Sequence, residues 1–199
     1  MIGLTGVCVI AYLIAVKKNA SSQVRKKIAL AGVVLAILLA FAVGDTYVMS
    51  SRPAWDTLIL PLVYLASAFV LGCFSFSLLL GLNESAETTI VIKRTTLVGL
   101  GIQGVLIVAY LVALAVAPYP DISRSPARVL AGNLAPLFWI GIVLIGLLIP
   151  GALVALRKAE KPSSPAGAVF CLLCVFVGAV TFRLLMFNLG SSIRQFFPA

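Results

Sequence analysis

Long stretches without a single charged side chain are the feature that most restricts how this protein can fold. Four such runs occur, at residues 57–83, 95–120, 129–156 and 162–182. Each run reaches the roughly 20 residues that an α-helix needs to cross a hydrocarbon layer about 30 Å thick. Two shorter apolar runs, at 1–16 and 28–44, precede them. The sequence therefore predicts an all-α, polytopic transmembrane helix bundle, and it excludes a soluble enzyme and a disordered chain.

We predict six membrane helices within one integral-membrane domain that covers residues 1–199. The predicted helices are 1–16, 28–49, 58–82, 96–117, 134–156 and 166–189. The first helix begins at the initiating Met without a polar lead, and its 16 residues span only about 24 Å at 1.5 Å per residue. We therefore expect the sequence to be a fragment of a longer chain or the product of a missed upstream start.

The distribution of basic residues predicts how these helices are oriented. The formal net charge is +9, which in a soluble domain would suggest a nucleic-acid partner. Here, however, the Lys and Arg residues cluster in short connectors: ten lie in the first, third and fifth, and four lie in the second, the fourth and the tail. Loops rich in Lys and Arg stay on the cytoplasmic side. We predict no nucleic-acid partner, odd connectors in the cytoplasm, and both termini outside.

Several kinds of chemistry are missing from the sequence. The protein has no histidine, the most common axial ligand of b-type haem, so we expect no haem and no metal ligation. Cys171 and Cys174 form a C-x-x-C inside an apolar segment, where cysteines behave as small hydrophobic residues. Glycine-rich phosphate loops, paired carboxylates and a Ser/His/Asp set are also lacking. We predict that the protein performs no covalent chemistry alone.

Polar and aromatic residues are concentrated in the connector between the second and third predicted helices. Asp45 places a carboxylate near a helix end, Arg52 precedes a rigid proline, and Tyr47 and Trp55 are typical of the membrane interface. Two interpretations stay open. One is an interfacial anchor in which Asp56 caps the next helix. The other is a polar pocket for a lipid-soluble ligand or a docked subunit.

Arg183 is an ionisable residue inside the last predicted helix. It lies about six residues before the helix end, or ~9 Å along the axis, so it could snorkel toward the face that carries the second connector. An arginine at the bilayer centre costs about 2.5 kcal/mol or more, so it usually has a partner or a function. Asp45 is the candidate partner, and a snorkelling anchor and a functional charge both stay open.

These two segments resemble the dimethyl sulfoxide reductase membrane-anchor subunit family (DmsC type). The shared features are a Tyr-Val-Met helix end, an Arg-Pro-Ala-Trp loop, and then a Thr, a Pro and an apolar helix with small residues. In this sequence they are Tyr47, Val48 and Met49, then Arg52, Pro53, Ala54 and Trp55, then Thr57, Pro61, Ser67, Ala68, Leu71 and Gly72. The last helix of the family carries an Arg followed by aromatic residues, which matches Arg183 and Phe187.

The resemblance implies a function as well as a fold. It implies an eight-helix anchor, of which this protein would be the last six helices. Such a haem-free anchor binds menaquinol in the lipid bilayer and passes its electrons to an iron–sulfur subunit, which feeds a molybdopterin catalytic subunit in anaerobic respiration. The family's His-Leu-Gly quinol-site segment has no counterpart here. The remaining candidates for quinol binding or subunit docking are Asp45, Tyr47, Arg52, Trp55 and Arg183.

Two other functions stay open. A small membrane transporter would show internal repeats and broken helices near the membrane midplane, and no convincing repeat relates residues 1–82 to residues 96–189. A truncated structural anchor without activity is compatible with the abrupt start of the first helix.

Overall fold

The computed structural model describes residues 2–50, 52, 54–80, 86–118, 120–156 and 164–189. Every regular element within these ranges is helical, which confirms the predicted polytopic helical bundle. In sequence order the elements are α1 (Ile2–Lys17), α2 (Ser22–Asp45), α3 (Ile59–Leu80), α4 (Ala86–Ala115), α5 (Pro120–Ser123), α6 (Ser125–Leu130), a π-helix (Leu137–Leu148), α7 (Ile149–Leu156) and α8 (Pro165–Leu189).

Five of the described helices are long and apolar enough to cross a membrane. They are α2, α3, α4, the π-helix continued by α7, and α8. The first helix, α1, is apolar but has only 16 residues. The protein is therefore an integral membrane protein, and the six helices that the sequence predicts correspond to these five spans and α1.

Two helices begin earlier than the apolar runs predict. Helix α2 begins at Ser22 instead of residue 28, and α4 begins at Ala86 instead of residue 96. The backbone N–H of Val24 donates to the Ser21 hydroxyl at 3.5 Å, which caps the first turn of α2. Glu87 lies in the first turn of α4, where a carboxylate complements the helix dipole. The predictions were too short because hydropathy marks the lipid-facing span, while the helices continue past it.

The connectors also differ in detail from the prediction. The backbone N–H of Ile59 donates to the hydroxyl of Thr57 at 3.3 Å, whereas Asp56 is exposed. The prediction that Asp56 caps this helix is therefore wrong. The fourth connector holds two short helices, α5 and α6, which the apolar pattern does not reveal because neither is long enough to have a periodic face.

A very close helix contact joins the π-helix to α8. A Cβ added to Gly178 would lie 2.5 Å from the Cα of Gly146, and one added to Gly141 would collide with the side chain of Thr181. The two backbones therefore touch where both helices have only hydrogen at Cα, as is usual where membrane helices associate closely. Because 141 pairs with 181 and 146 with 178, these two helices are antiparallel.

The wide turns of the π-helix precede Pro150. In a regular α-helix the ring of this proline would clash with the carbonyl oxygen of residue 146, four positions earlier. The backbone N–H of Ile149 donates to the carbonyl of Leu144, five residues back. The wider coil thus leads into α7 without requiring a hydrogen bond from Pro150.

Neighbouring helices are antiparallel, so the bundle has two distinct ends. We call the end that carries residues 46–58, α5 and α6 the connector end. The opposite end, where α1 ends and α4 and α8 begin, is the basic end. Buried residues form one cluster at the connector end around Trp55, Tyr110 and Phe182, and another toward the basic end around Phe74 and Cys171.

Candidate functional site

The connector between α2 and α3 folds back onto the bundle instead of extending away from it. Trp55 is only 4% exposed, and Ala54 is completely buried. The indole N–H of Trp55 donates to the carbonyl of Met186 in α8 at 3.0 Å. The hydroxyl of Tyr110 in α4 donates to the carbonyl of Ala54 at 2.9 Å. Two side-chain hydrogen bonds therefore hold this connector to helices α4 and α8.

Helix α2 approaches α3 closely at the same end. A Cβ on Gly44 would collide with the backbone of Pro61, so a side chain at position 44 would push the two helices apart. The backbone leaves α2 directly after this contact. This approach brings Tyr47 onto Tyr64 of α3, with ring centroids 5.6 Å apart and planes inclined at 29°.

Four aromatic rings form a continuous cluster around that pair. Tyr47 meets Trp55 edge to face, with centroids 6.0 Å apart, and meets Phe187 of α8 at 5.9 Å. Trp55 also contacts Phe187, at 5.5 Å. Edge-to-face pairs at 4.5–7 Å are favourable geometries for aromatic side chains. The connector, α3 and α8 are thus joined by one aromatic cluster, which consists of Tyr47, Trp55, Tyr64 and Phe187.

Each of the two predicted arginines lies against a ring of this cluster. The guanidinium carbon of Arg52 is 4.3 Å from the centroid of the Trp55 ring. That of Arg183 is 5.0 Å from the centroid of the Tyr64 ring. Both distances are within the ~6 Å range of cation–π interactions. The aromatic cluster therefore stabilises two positive charges at the connector end.

A cavity of about 90 Å³ lies between α3 and α8 below the aromatic cluster. Its polar wall is formed by Tyr64, Ser67 and Arg183, and its apolar wall includes Leu71 and Phe182. The hydroxyl of Ser67 donates to the carbonyl of residue 63 in its own helix. The hydroxyl oxygen of Tyr64 is buried and makes no hydrogen bond of good geometry in the described part of the protein, although Tyr47 and Arg183 are close enough to interact with it. The cavity therefore combines a guanidinium cation with a hydroxyl group whose hydrogen-bonding capacity is not filled.

The structure brings four of the five predicted site residues together. Tyr47 and Trp55 belong to the aromatic cluster, and Arg52 and Arg183 contact it. Asp45 lies at the same end, at the last residue of α2, but its side chain is exposed. Arg183 contacts the Tyr64 ring, and no ion pair between Arg183 and Asp45 occurs among the described residues. The predicted pairing of these two charges is therefore wrong.

Sequence reasoning missed Tyr64 and Tyr110. Both lie in long apolar helices, where a tyrosine is easily taken for a core or interface residue. The available signal was helical spacing, because Tyr64 is followed three residues later by Ser67 on the same face of α3. Among the described residues, no group of three or more His, Cys, Asp or Glu side chains could hold a metal ion. The site consists of aromatic, hydroxyl and guanidinium groups.

Comparison with known proteins assigns this sequence to a family. The family described as "Polysulphide reductase, NrfD" matches residues 5–191. The C subunit of the polysulfide reductase of Wolinella succinogenes is 33% identical over 150 residues, which cover 72% of this sequence and 47% of that protein. The sequence thus spans about half the length of this curated relative. No solved structure matches the sequence of this protein. These matches support NrfD-like membrane anchors and do not single out the DmsC type. Since the family match covers nearly the whole sequence, the protein belongs to the NrfD family.

Proposed function

We propose that this protein is the membrane-anchor subunit of a molybdopterin oxidoreductase and that it holds a hydroquinone at its connector end. Its family and its relative, which is one subunit of a polysulfide reductase, support this proposal. The proposed partners are an iron–sulfur subunit and a molybdopterin catalytic subunit. Because the sequence contains no histidine, we propose that electrons leave the hydroquinone for the iron–sulfur subunit without passing through haem.

The cavity beside Tyr64 and Arg183 carries the proposal. A hydroquinone is a flat, uncharged ring with two hydroxyl groups, and it reaches this cavity from the lipid. The buried hydroxyl of Tyr64 accepts a hydrogen bond from one of them. When this hydroquinone hydroxyl releases its proton toward water at the connector end, the guanidinium of Arg183 stabilises the resulting hydroquinone oxyanion, because electrostatic interactions are strong in a site of low dielectric constant. A cavity of about 90 Å³ holds only part of such a ring, so we propose that the docked iron–sulfur subunit forms the opposite wall.

The other predicted residues receive roles around this cavity. Tyr47 stacks on Tyr64 and Trp55 packs against Phe187, and we propose that both support the Tyr64 wall of the cavity from outside it. Arg52 is half-buried against the Trp55 ring and is proposed to contact the docked subunit. Asp45 is exposed two residues before Tyr47 and is proposed to accept a proton released from the hydroquinone. Two electrons and two protons leave each hydroquinone, so the site needs a proton exit as well as an electron acceptor.

The finer parts of the proposal concern the membrane, the quinol and the terminal acceptor. The ten-to-four bias of basic residues supports a bacterial cytoplasmic membrane with the connector end and both termini outside. We propose menaquinol as the hydroquinone. The motifs around Arg52 and Trp55 support a dimethyl sulfoxide reductase-type complex, whereas the relative from Wolinella supports polysulfide reduction. The catalytic subunit determines which acceptor is used.

Co-purification and electron transfer together test this function. The protein is tagged and expressed with an iron–sulfur subunit and a molybdopterin subunit of a polysulfide reductase-type complex from the same organism, and membranes are solubilised in mild detergent. We expect both proteins to co-purify, and we expect the complex to oxidise a reduced menaquinone analogue in the presence of dimethyl sulfoxide or polysulfide. An anchor that inserts into the membrane but retains neither protein, or a complex that does not consume the quinol, would contradict the proposal.

A further inference from the structure

A second and larger cavity lies at the basic end of the bundle. It has a volume of about 220 Å³ and lies between α3, α4, α7 and α8. Phe74, Leu153 and Cys171 contribute apolar surface, while Lys93, Thr96 and Ser164 contribute polar groups. The proposed hydroquinone cavity shares none of these residues. This second cavity is therefore a separate site at the opposite end of the molecule.

Lys93 places a positive charge in the wall of this cavity. Its ammonium group donates to the carbonyl of Ala155, in the last turn of α7, at 2.8 Å. The C-terminal end of a helix favours a nearby cation. Arg94 follows directly, and the uncharged run 95–120 begins after it. The two basic residues therefore mark the membrane boundary on α4.

The first turn of α8 faces the same cavity. Ser164 and Gly167 both line it, and the backbone N–H of Gly167 donates to the Ser164 hydroxyl at 3.1 Å. The N-terminus of a helix carries a partial positive charge, and α8 is 25 residues long. The cavity therefore has a cationic side chain and a positive helix end near its polar part, and apolar walls above them.

We propose that this cavity binds an anionic phospholipid, with its phosphate beside Lys93 and the first part of one acyl tail between Phe74 and Leu153. Charge complementarity favours this occupant, because the negative charge of a phosphate matches the positive charge of the ammonium group, whereas an uncharged quinone brings no such charge. Basic pockets between membrane helices on the cytoplasmic side are known to bind acidic lipid headgroups. The volume is below the 300–1,000 Å³ of sites that enclose a whole drug-sized ligand, so the rest of the lipid lies along the outside of the bundle.

Lipid binding to the full-length protein tests the proposal. The purified protein in neutral detergent is titrated with phosphatidylglycerol or phosphatidylcholine, and bound lipids are counted by native mass spectrometry. We expect phosphatidylglycerol to bind in preference to phosphatidylcholine. Replacement K93Q removes one cation near the headgroup and is expected to weaken phosphatidylglycerol binding about fivefold. The matched control K17Q removes a basic residue at the same end of the bundle but outside the cavity, and is expected to have little effect.

Further measurements make the outcome decisive. K93R keeps the charge and is expected to retain binding even if K93Q folds poorly. Equal binding of both lipids, or equal losses in K93Q and K17Q, would show diffuse surface attraction and overturn the proposal. Inorganic phosphate at millimolar concentration is expected not to displace the lipid, and displacement would show that the site recognises a free anion instead. None of these results depends on quinol oxidation, so they leave the proposed anchor function untouched.

Discussion

The indole N–H of Trp55 donates a hydrogen bond to the backbone carbonyl of Met186, a residue that lies 131 positions later in the sequence. Trp55 belongs to the connector between the second and third helices, whereas Met186 is in the last helix. The bond therefore joins the connector to α8 one helical turn from Arg183. This contact fixes the connector, and with it the aromatic cluster, relative to the helix that carries Arg183.

We predict that W55F lowers the stability of the protein. The substitution keeps an aromatic ring but leaves the buried carbonyl of Met186 without its donor, which costs about 1–3 kcal/mol. The measurement is the melting temperature of the full-length protein in detergent. W139F is the matched control, since the Trp139 indole also donates to a carbonyl, that of Leu130 at 2.9 Å, but it is half exposed and joins neighbouring segments. Equal losses in the two variants would contradict the long-range role of Trp55.

Two tyrosine-to-phenylalanine substitutions are predicted to have opposite signatures. The buried hydroxyl of Tyr64 makes no hydrogen bond of good geometry among the described residues. Y64F should therefore change the melting temperature little, while quinol oxidation by the assembled complex falls. The Tyr110 hydroxyl donates to Ala54, so Y110F should lower stability by about 1–2 kcal/mol. Unchanged quinol oxidation in Y64F would remove Tyr64 from the proposed site.

The sequence alone predicted most of the fold because uncharged runs long enough to cross a membrane have few alternatives. It also located Tyr47, Arg52, Trp55 and Arg183 at one end, because connectors on the same side of a membrane meet at the same end of a bundle. The sequence did not reveal which side chains contact one another. Arg183 lies over Tyr64 and does not pair with Asp45 because of the way α3 and α8 are rotated about their axes. The sequence of an almost uniformly apolar helix has no periodicity that would predict this rotation.

The backbone contact between Gly146 and Gly178 leads to a prediction about packing. A methyl group at position 178 would lie 2.5 Å from the Cα of Gly146, so G178A must separate the π-helix from α8 and should cost about 1–3 kcal/mol. Gly101 in α4 is the matched control, because a Cβ there meets nothing within 4 Å. G101A should instead stabilise the helix by about 0.5–1 kcal/mol. Melting temperatures that change in the same direction in both variants would refute this packing.

The charge of Arg183 is predicted to act on the chemistry more than on the assembly. In R183Q the oxyanion formed from the hydroquinone loses its cation, and removal of one such stabilising group lowers turnover about 100-fold or more. R183K keeps a positive charge near Tyr64 and should retain part of the activity.

R124Q is the control, because Arg124 is an exposed basic residue at the same connector end that contacts neither the cavity nor the aromatic cluster. The measurement is the rate of quinol oxidation per assembled complex, with the amount of co-purified iron–sulfur subunit as the check on assembly. If R183Q and R124Q retained equal rates, Arg183 would be a snorkelling anchor at the membrane interface and the oxyanion would need another partner.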